Sequence, residues 1–79
     1  MTLAQATGKR IQELLFERKI TQYRLAKNTC LSEKTIGDLT KGKNHDVKLS
    51  TIYLVADSFG LTLTDFFTSP FFDENEIEI

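Results

Sequence analysis

Apolar side chains recur every three or four positions along most of the chain, and the alternation expected of strands is scarce. Leu3, Ala6, Ile11, Leu14 and Leu15 predict a first helix that ends near Lys19. Thr21 is placed to cap a short second helix burying Leu25 and Ala26, because its hydroxyl can accept from a free N–H of the first turn. A break at Thr29-Cys30-Leu31 precedes Ser32, the expected cap of a third short helix, with Ile36 and Leu39 facing inward and Lys41-Gly42 at its end. Glycine there suits the left-handed backbone of a helix C-terminus. Beyond the polar loop Lys43-Asn44-His45-Asp46-Val47-Lys48, Ser50 is expected to cap a fourth helix. Ile52, Val55, Ala56 and Phe59 share one of its faces, and Gly60 ends it. Thr62, with Asp65 three residues on, opens a last short helix through Phe67. Pro70 stops regular helix. The pattern predicts an all-α bundle of five helices in one domain over residues 1–69, followed by an acidic C-terminal tail over 70–79.

Composition narrows this picture. Seventy-nine residues leave no room for a second core, and a chain this short buries only roughly 60% of the surface its unfolded form exposes. At 41% hydrophobic and 27% charged it is globular rather than disordered. The single cysteine, Cys30, has no internal disulfide partner, which suits a reducing compartment. No apolar run approaches the roughly 20 residues that span a membrane, and Met1-Thr2-Leu3-Ala4-Gln5 lacks the start of a signal peptide. A soluble, cytoplasmic protein without a membrane partner is expected.

The net charge of −1 conceals a division along the chain. Ten basic and five acidic side chains leave residues 1–48 at +5, whereas six acids without a base put residues 49–79 at −6. Such asymmetry hints at a nucleic-acid surface on one side; its bland alternative is chance clustering plus an acidic tail.

The stretch from Thr21 to Gly42 carries most of the functional information. Two short helices, each opened by its own hydroxyl cap, are separated by a tight turn, and Leu25, Ala26, Leu31, Ile36 and Leu39 are spaced to bury one face of both. This is helix-turn-helix geometry, in which the second helix stands proud of the core and can enter a major groove. With Thr21-Gln22, Leu25-Ala26, Leu31-Ser32, Ile36, Lys41-Gly42, Leu49-Ser50-Thr51-Ile52 and Ala56 through Gly60-Leu61-Thr62-Leu63 in order, the chain resembles the phage-repressor/Cro-like helix-turn-helix (XRE) family of transcriptional regulators from about Gly8 to Phe67. The resemblance implies a lambda-repressor-like fold and a partner in double-stranded DNA, with a homodimer on a palindromic operator.

It also implies roles for particular residues. Glu33, Lys34, Thr35 and Asp38 take the outward, base-contacting positions of the recognition helix, about Glu33 to Lys41. Chemically, lysine can donate to guanine, glutamate can accept from cytosine N4, and threonine can touch a thymine methyl. Gln22 corresponds to a phosphate-binding glutamine at a helix N-terminus, where free N–H groups favour anions. Lys41, Lys43, Asn44, His45 and Lys48 look like backbone clamps, which fix register without reading sequence. For each of these the alternative is a merely solvated side chain.

Two features depart from the family pattern. Cys30 stands in the turn where many members have glycine, so a positive φ there would cost about 1–2 kcal/mol. It reads otherwise as a small packing residue. Glu33 and Asp38 bring negative charge toward DNA, although Asp38 lies four residues after Lys34 and within reach of an intrahelical pair. One histidine and one cysteine make no metal cluster, and no spacing suggests a cofactor, a nucleophile with its base, or a phosphate-cradling glycine loop. A non-enzymatic protein is expected. Phe66, Phe67, Phe71 and Phe72 are expected to close the core, residues 73–79 to fray, and the C-terminal region to offer an alternative protein-partner surface. The competing reading is a protein-interaction module, or antitoxin-like partner, that keeps the fold.

Overall fold

The computed structural model describes residues 1–43 and 47–78, the side chain of Glu74 apart. Five α-helices follow in order: α1 (Leu3–Arg18), α2 (Gln22–Thr29), α3 (Glu33–Lys41), α4 (Leu49–Ser58) and α5 (Leu63–Phe67). Two single 3-10 turns, Pro70–Phe72 and Glu74–Glu76, complete the chain.

Hydroxyl caps decide where four of the helices start. Thr2, Thr21, Ser32 and Thr62 each accept a hydrogen bond from the N–H three residues on, satisfying a donor that the helix cannot. At α1 the cap is reciprocal, because the Thr2 N–H donates to Gln5 Oε1 at 2.9 Å. The expected cap at Ser50 is corrected. Helix α4 begins at Leu49, and Lys48 takes the cap position with no side-chain bond. Lys48 holds the extended backbone of a cap (φ −68°, ψ 136°), and Ser50 lies inside the first turn. Helices α1, α3 and α4 end alike. The N–H of Ile20, Lys43 and Leu61 each reaches back five residues, to the carbonyls of Leu15, Asp38 and Ala56.

Ile11, Leu14, Leu25, Ile36, Leu39, Ile52, Val55, Ala56, Phe59 and Phe66 form one buried cluster drawn from all five helices. Two arginines tie the periphery to it. The Arg10 Nε and Nη2 donate to the carbonyls of Phe66 and Asp65 at 2.7 and 2.9 Å, while Nη1 meets Glu13 at 2.6 Å. Arg18 donates to the Phe59 carbonyl at 2.9 Å. Both cations thus donate to carbonyls at or near the ends of α4 and α5, that of Asp65 also accepting the Thr68 N–H.

The tightest approach is between α1 and α3. A Cβ built on Gly8 would lie 2.6 Å from the Leu39 carbonyl oxygen and 2.7 Å from that of Thr40. Gln12 donates to the same Thr40 carbonyl. Only a glycine lets the backbones come this close.

The C-terminal segment differs from expectation. Phe66 is fully buried and Phe72 packs against the core, whereas Phe67 is exposed and Phe71 half-buried. Residues 73–78 are hydrogen-bonded rather than frayed: the Glu78 N–H donates to the Met1 carbonyl at 2.7 Å, and Thr2 and Glu78 form a parallel bridge. Phe72 anchors this segment to the core, and backbone bonds tie its end to the start of the chain.

Gly8→Ala is expected to lower stability by about 1–3 kcal/mol, the usual range for overpacking. An unconstrained helical glycine would instead gain about 0.5–1 kcal/mol from the same change. Urea unfolding decides between them: a raised midpoint would mean that the helices can part without penalty.

Candidate nucleic-acid interface

The turn between α2 and α3 is built from three side chains. The buried Thr29 hydroxyl donates back to the Leu25 carbonyl at 2.8 Å and accepts from the Leu31 N–H at 3.3 Å, so it bridges the end of α2 to the turn. Cys30 adopts φ 60°, ψ 20°, the left-handed conformation normally given to glycine. Its expected role as a packing residue is corrected, for the thiol is exposed. What the position requires is a backbone conformation, and the side chain is left to face solvent. Ser32 then starts α3, accepting from the Thr35 N–H at 3.0 Å.

On α3, Ile36 and Leu39 are buried while Glu33 and Lys34 are exposed. The Lys34 side chain is 85% exposed, and its Nζ donates to Asp38 Oδ2 at 3.0 Å across one helical turn. The Lys34 hydrogen bond, aided by the charges of Lys34, Lys43 and Lys41, holds the Asp38 carboxyl below its ordinary value, with desolvation partly opposing. Asp38 therefore spends its charge on Lys34. Thr35 is half-buried and its hydroxyl lies 2.8 Å from that of Ser32, so its methyl is the part left for outside contact.

Gln22 opens α2 and is exposed, but its amide turns onto α3. Nε2 donates to the Thr40 hydroxyl at 3.3 Å, and that hydroxyl donates to the Gly37 carbonyl at 2.9 Å. One N–H and the carbonyl oxygen of the Gln22 amide remain available. Lys41 ends α3, Lys43 follows Gly42, and Lys48 precedes α4; all three are exposed. The candidates Asn44 and His45 lie outside the described residues. Helix α3 thus exposes Glu33 and Lys34 in its first turn, with Thr35 half-buried beside them, Asp38 one turn on from Lys34, Gln22 folded beside it and lysines at its far end.

Residues 10–71 match the family model of the Cro/C1-type HTH DNA-binding domain. The chain belongs to that family. No curated protein and no solved structure matches it. As a Cro/C1-type domain its partner is DNA, and the α2-turn-α3 unit just described is its helix-turn-helix. Among the described residues, no group of three side chains could hold a metal ion, and no helix is long and apolar enough to cross a membrane.

Three features of this Cro/C1-type domain were not anticipated from sequence. Arg10 and Arg18, counted with the basic half, serve carbonyls of the fold. Thr40 is only 3% exposed and joins α1, α2 and α3 through its hydroxyl and carbonyl. Gly8 is the place where α1 and α3 meet. An interior helical glycine, costly by propensity, was the available signal for the last.

Cys30→Gly is expected to stabilise the domain by up to about 1.6 kcal/mol. It relieves left-handed strain of about 1–2 kcal/mol and loses about 0.4–1 kcal/mol to the freer unfolded chain. A lower thermal midpoint would contradict this. For Asp38, a folded-state pKa below the unfolded one means that its contribution is present above the ordinary carboxylate range and fades as pH falls through the lowered value. Carboxyl NMR should show Asp38 titrating below an ordinary aspartate, and Lys34→Ala should move it upward. An unmoved midpoint would remove Lys34 as the cause.

Proposed function

We propose that this domain is a sequence-specific, double-stranded DNA-binding transcriptional regulator that acts as a repressor by occluding a promoter. The observation that carries this reading is the second helix of the helix-turn-helix, started by Ser32 and facing outward through Glu33 and Lys34. In this reading α3 enters the major groove. Lys34 donates to guanine, Glu33 accepts from cytosine N4, and the Thr35 methyl meets thymine. Asp38 orients Lys34 through their hydrogen bond and lies close to the same edge. Gln22, Lys41, Lys43, Asn44, His45 and Lys48 hold phosphates on either side, setting register. Its place of action is the cytoplasm.

A homodimer on a palindromic operator fits the same geometry, with half-sites roughly 34–36 Å apart. Leu3, Leu49 and Phe67 support self-association: they are exposed around an apolar hollow of about 130 Å³ that Val47 and Ile52 also line. A second reading, a protein-interaction module or antitoxin-like partner, has one observation in its favour. Phe16 is 85% exposed on α1 and shares a surface hollow with Phe71.

Fluorescence anisotropy with the DNA upstream of the protein's own coding sequence, against a scrambled duplex over a salt series, tests the first reading. Preference for the native duplex and a steep loss of affinity with salt are expected. Lys34→Ala should weaken native binding by about 1–3 kcal/mol and relax specificity. Gln22→Ala should weaken both duplexes alike. Equal affinity for the two duplexes at every salt concentration, with loss of partner capture on Phe71→Ala, would favour the interaction module.

A further inference from the structure

The proposed contacts all lie on α2, α3 and the segment through Lys48, yet a cationic hollow continues past them onto α1. Gln5, Lys9 and Gln12 follow one another along one side of α1, and with Thr40 and Lys41 they line a shallow concavity of about 390 Å³. The close approach at Gly8 creates it by setting α1 beside the last turn of α3. Gly42, at φ 67°, makes a second close approach, where a Cβ would sit 2.9 Å from the Gln5 backbone.

The lining is chemically one-sided. Two of its five residues are exposed lysines, two are glutamines, and none is an acid. Four other cations of the domain are already engaged. Arg10 holds Glu13 and two carbonyls, Arg18 holds the Phe59 carbonyl, Lys34 holds Asp38, and Lys27 lies over the Tyr23 ring. Lys9 and Lys41 make no ion pair among the described residues. Two like charges lining one hollow are unfavourable until an anion enters. The end of α3 would normally oppose an anion with its free carbonyls, but the Gln12 amide donates to that of Thr40. The Gln5 Oε1 is likewise committed to the Thr2 N–H, which leaves its amide N–H groups to point elsewhere.

We propose that Lys9 and Lys41 together take a backbone phosphate of the bound duplex, so that the DNA-contacting surface extends from the recognition helix across α1. This rests on the DNA-binding reading above and adds a site to it. Lys41 is the shared element, since it ends α3 and also lines the hollow. A phosphate held there lies on the flank of the groove that α3 enters, and it fixes how deeply that helix sits without reading sequence.

The test is Lys9→Gln in the full chain, with Lys9→Arg as the charge-conserving control and circular dichroism to confirm the fold. Binding to the native and scrambled duplexes is measured over a salt series. Lys9→Gln should weaken both duplexes by the same factor, leaving their ratio unchanged, and reduce the slope of log K against log salt by about 0.9. Lys9→Arg should restore the slope. A folded Lys9→Gln variant with wild-type slope and affinity would overturn this site while leaving the DNA-binding reading intact. Wild-type protein without salt-dependent DNA binding would overturn both.

Discussion

The backbone of α1 at Gly8 comes so close to the last carbonyls of α3 that no Cβ fits between them. That contact fixes where the C-terminal end of the recognition helix can lie. Gln12 reinforces it by donating to the Thr40 carbonyl, and the Thr40 hydroxyl in turn receives the Gln22 amide. Helices α1, α2 and α3 therefore meet at one buried threonine, and Ile36 and Leu39 seat α3 on the shared core. With one end and one face of α3 held, its remaining edge is turned outward. A small domain can present a helix in this way only if the seam behind it is tight, since it has little core to spare.

The same architecture sorts the cations. Arginines at positions 10 and 18, with planar forks suited to several acceptors at once, satisfy carbonyls at or near the ends of α5 and α4. The lysines remain at the surface, and Lys41, Lys43 and Lys48 follow the recognition helix along the chain. The C-terminal half carries the negative charge. Its segment from Pro70 to Glu78 lies against α1, reaching Met1 and Thr2 at its far end. A net charge near zero thus describes neither half of the protein.

Much of this was legible in the sequence because helix starts are local chemistry. Thr21, Ser32 and Thr62 cap where their hydroxyls predict, since an N-cap depends only on the next three residues. Ser50 failed for the same reason: a serine one residue inside a helix looks like a cap, and here the helix already starts at Leu49 without a side-chain cap. The Lys34–Asp38 pair follows from helical spacing alone and was foreseen. Contacts between distant segments were not. Neither the inward turn of Arg10 nor the return of the tail to Met1 has a local signature, because each depends on where another element ends. Cys30 lay between these cases: the family pattern raised a positive φ there, its cost argued for a differently shaped turn, and the chain adopts the left-handed conformation with the side chain exposed.

The central proposal is that DNA sits along α3 and the start of α2, with Lys41, Lys43 and Lys48 beside them. Mapping backbone amide shifts by NMR, as a duplex of the protein's own upstream DNA is titrated in, tests it most directly. The account predicts that the perturbed amides cluster at Gln22, Glu33 through Lys43 and the residues leading to Lys48, with those of α5 largely unmoved. Perturbations confined to Phe16, Phe67 and Phe71 with an unmoved α3 would contradict it, and would place the working surface of this domain on its other side.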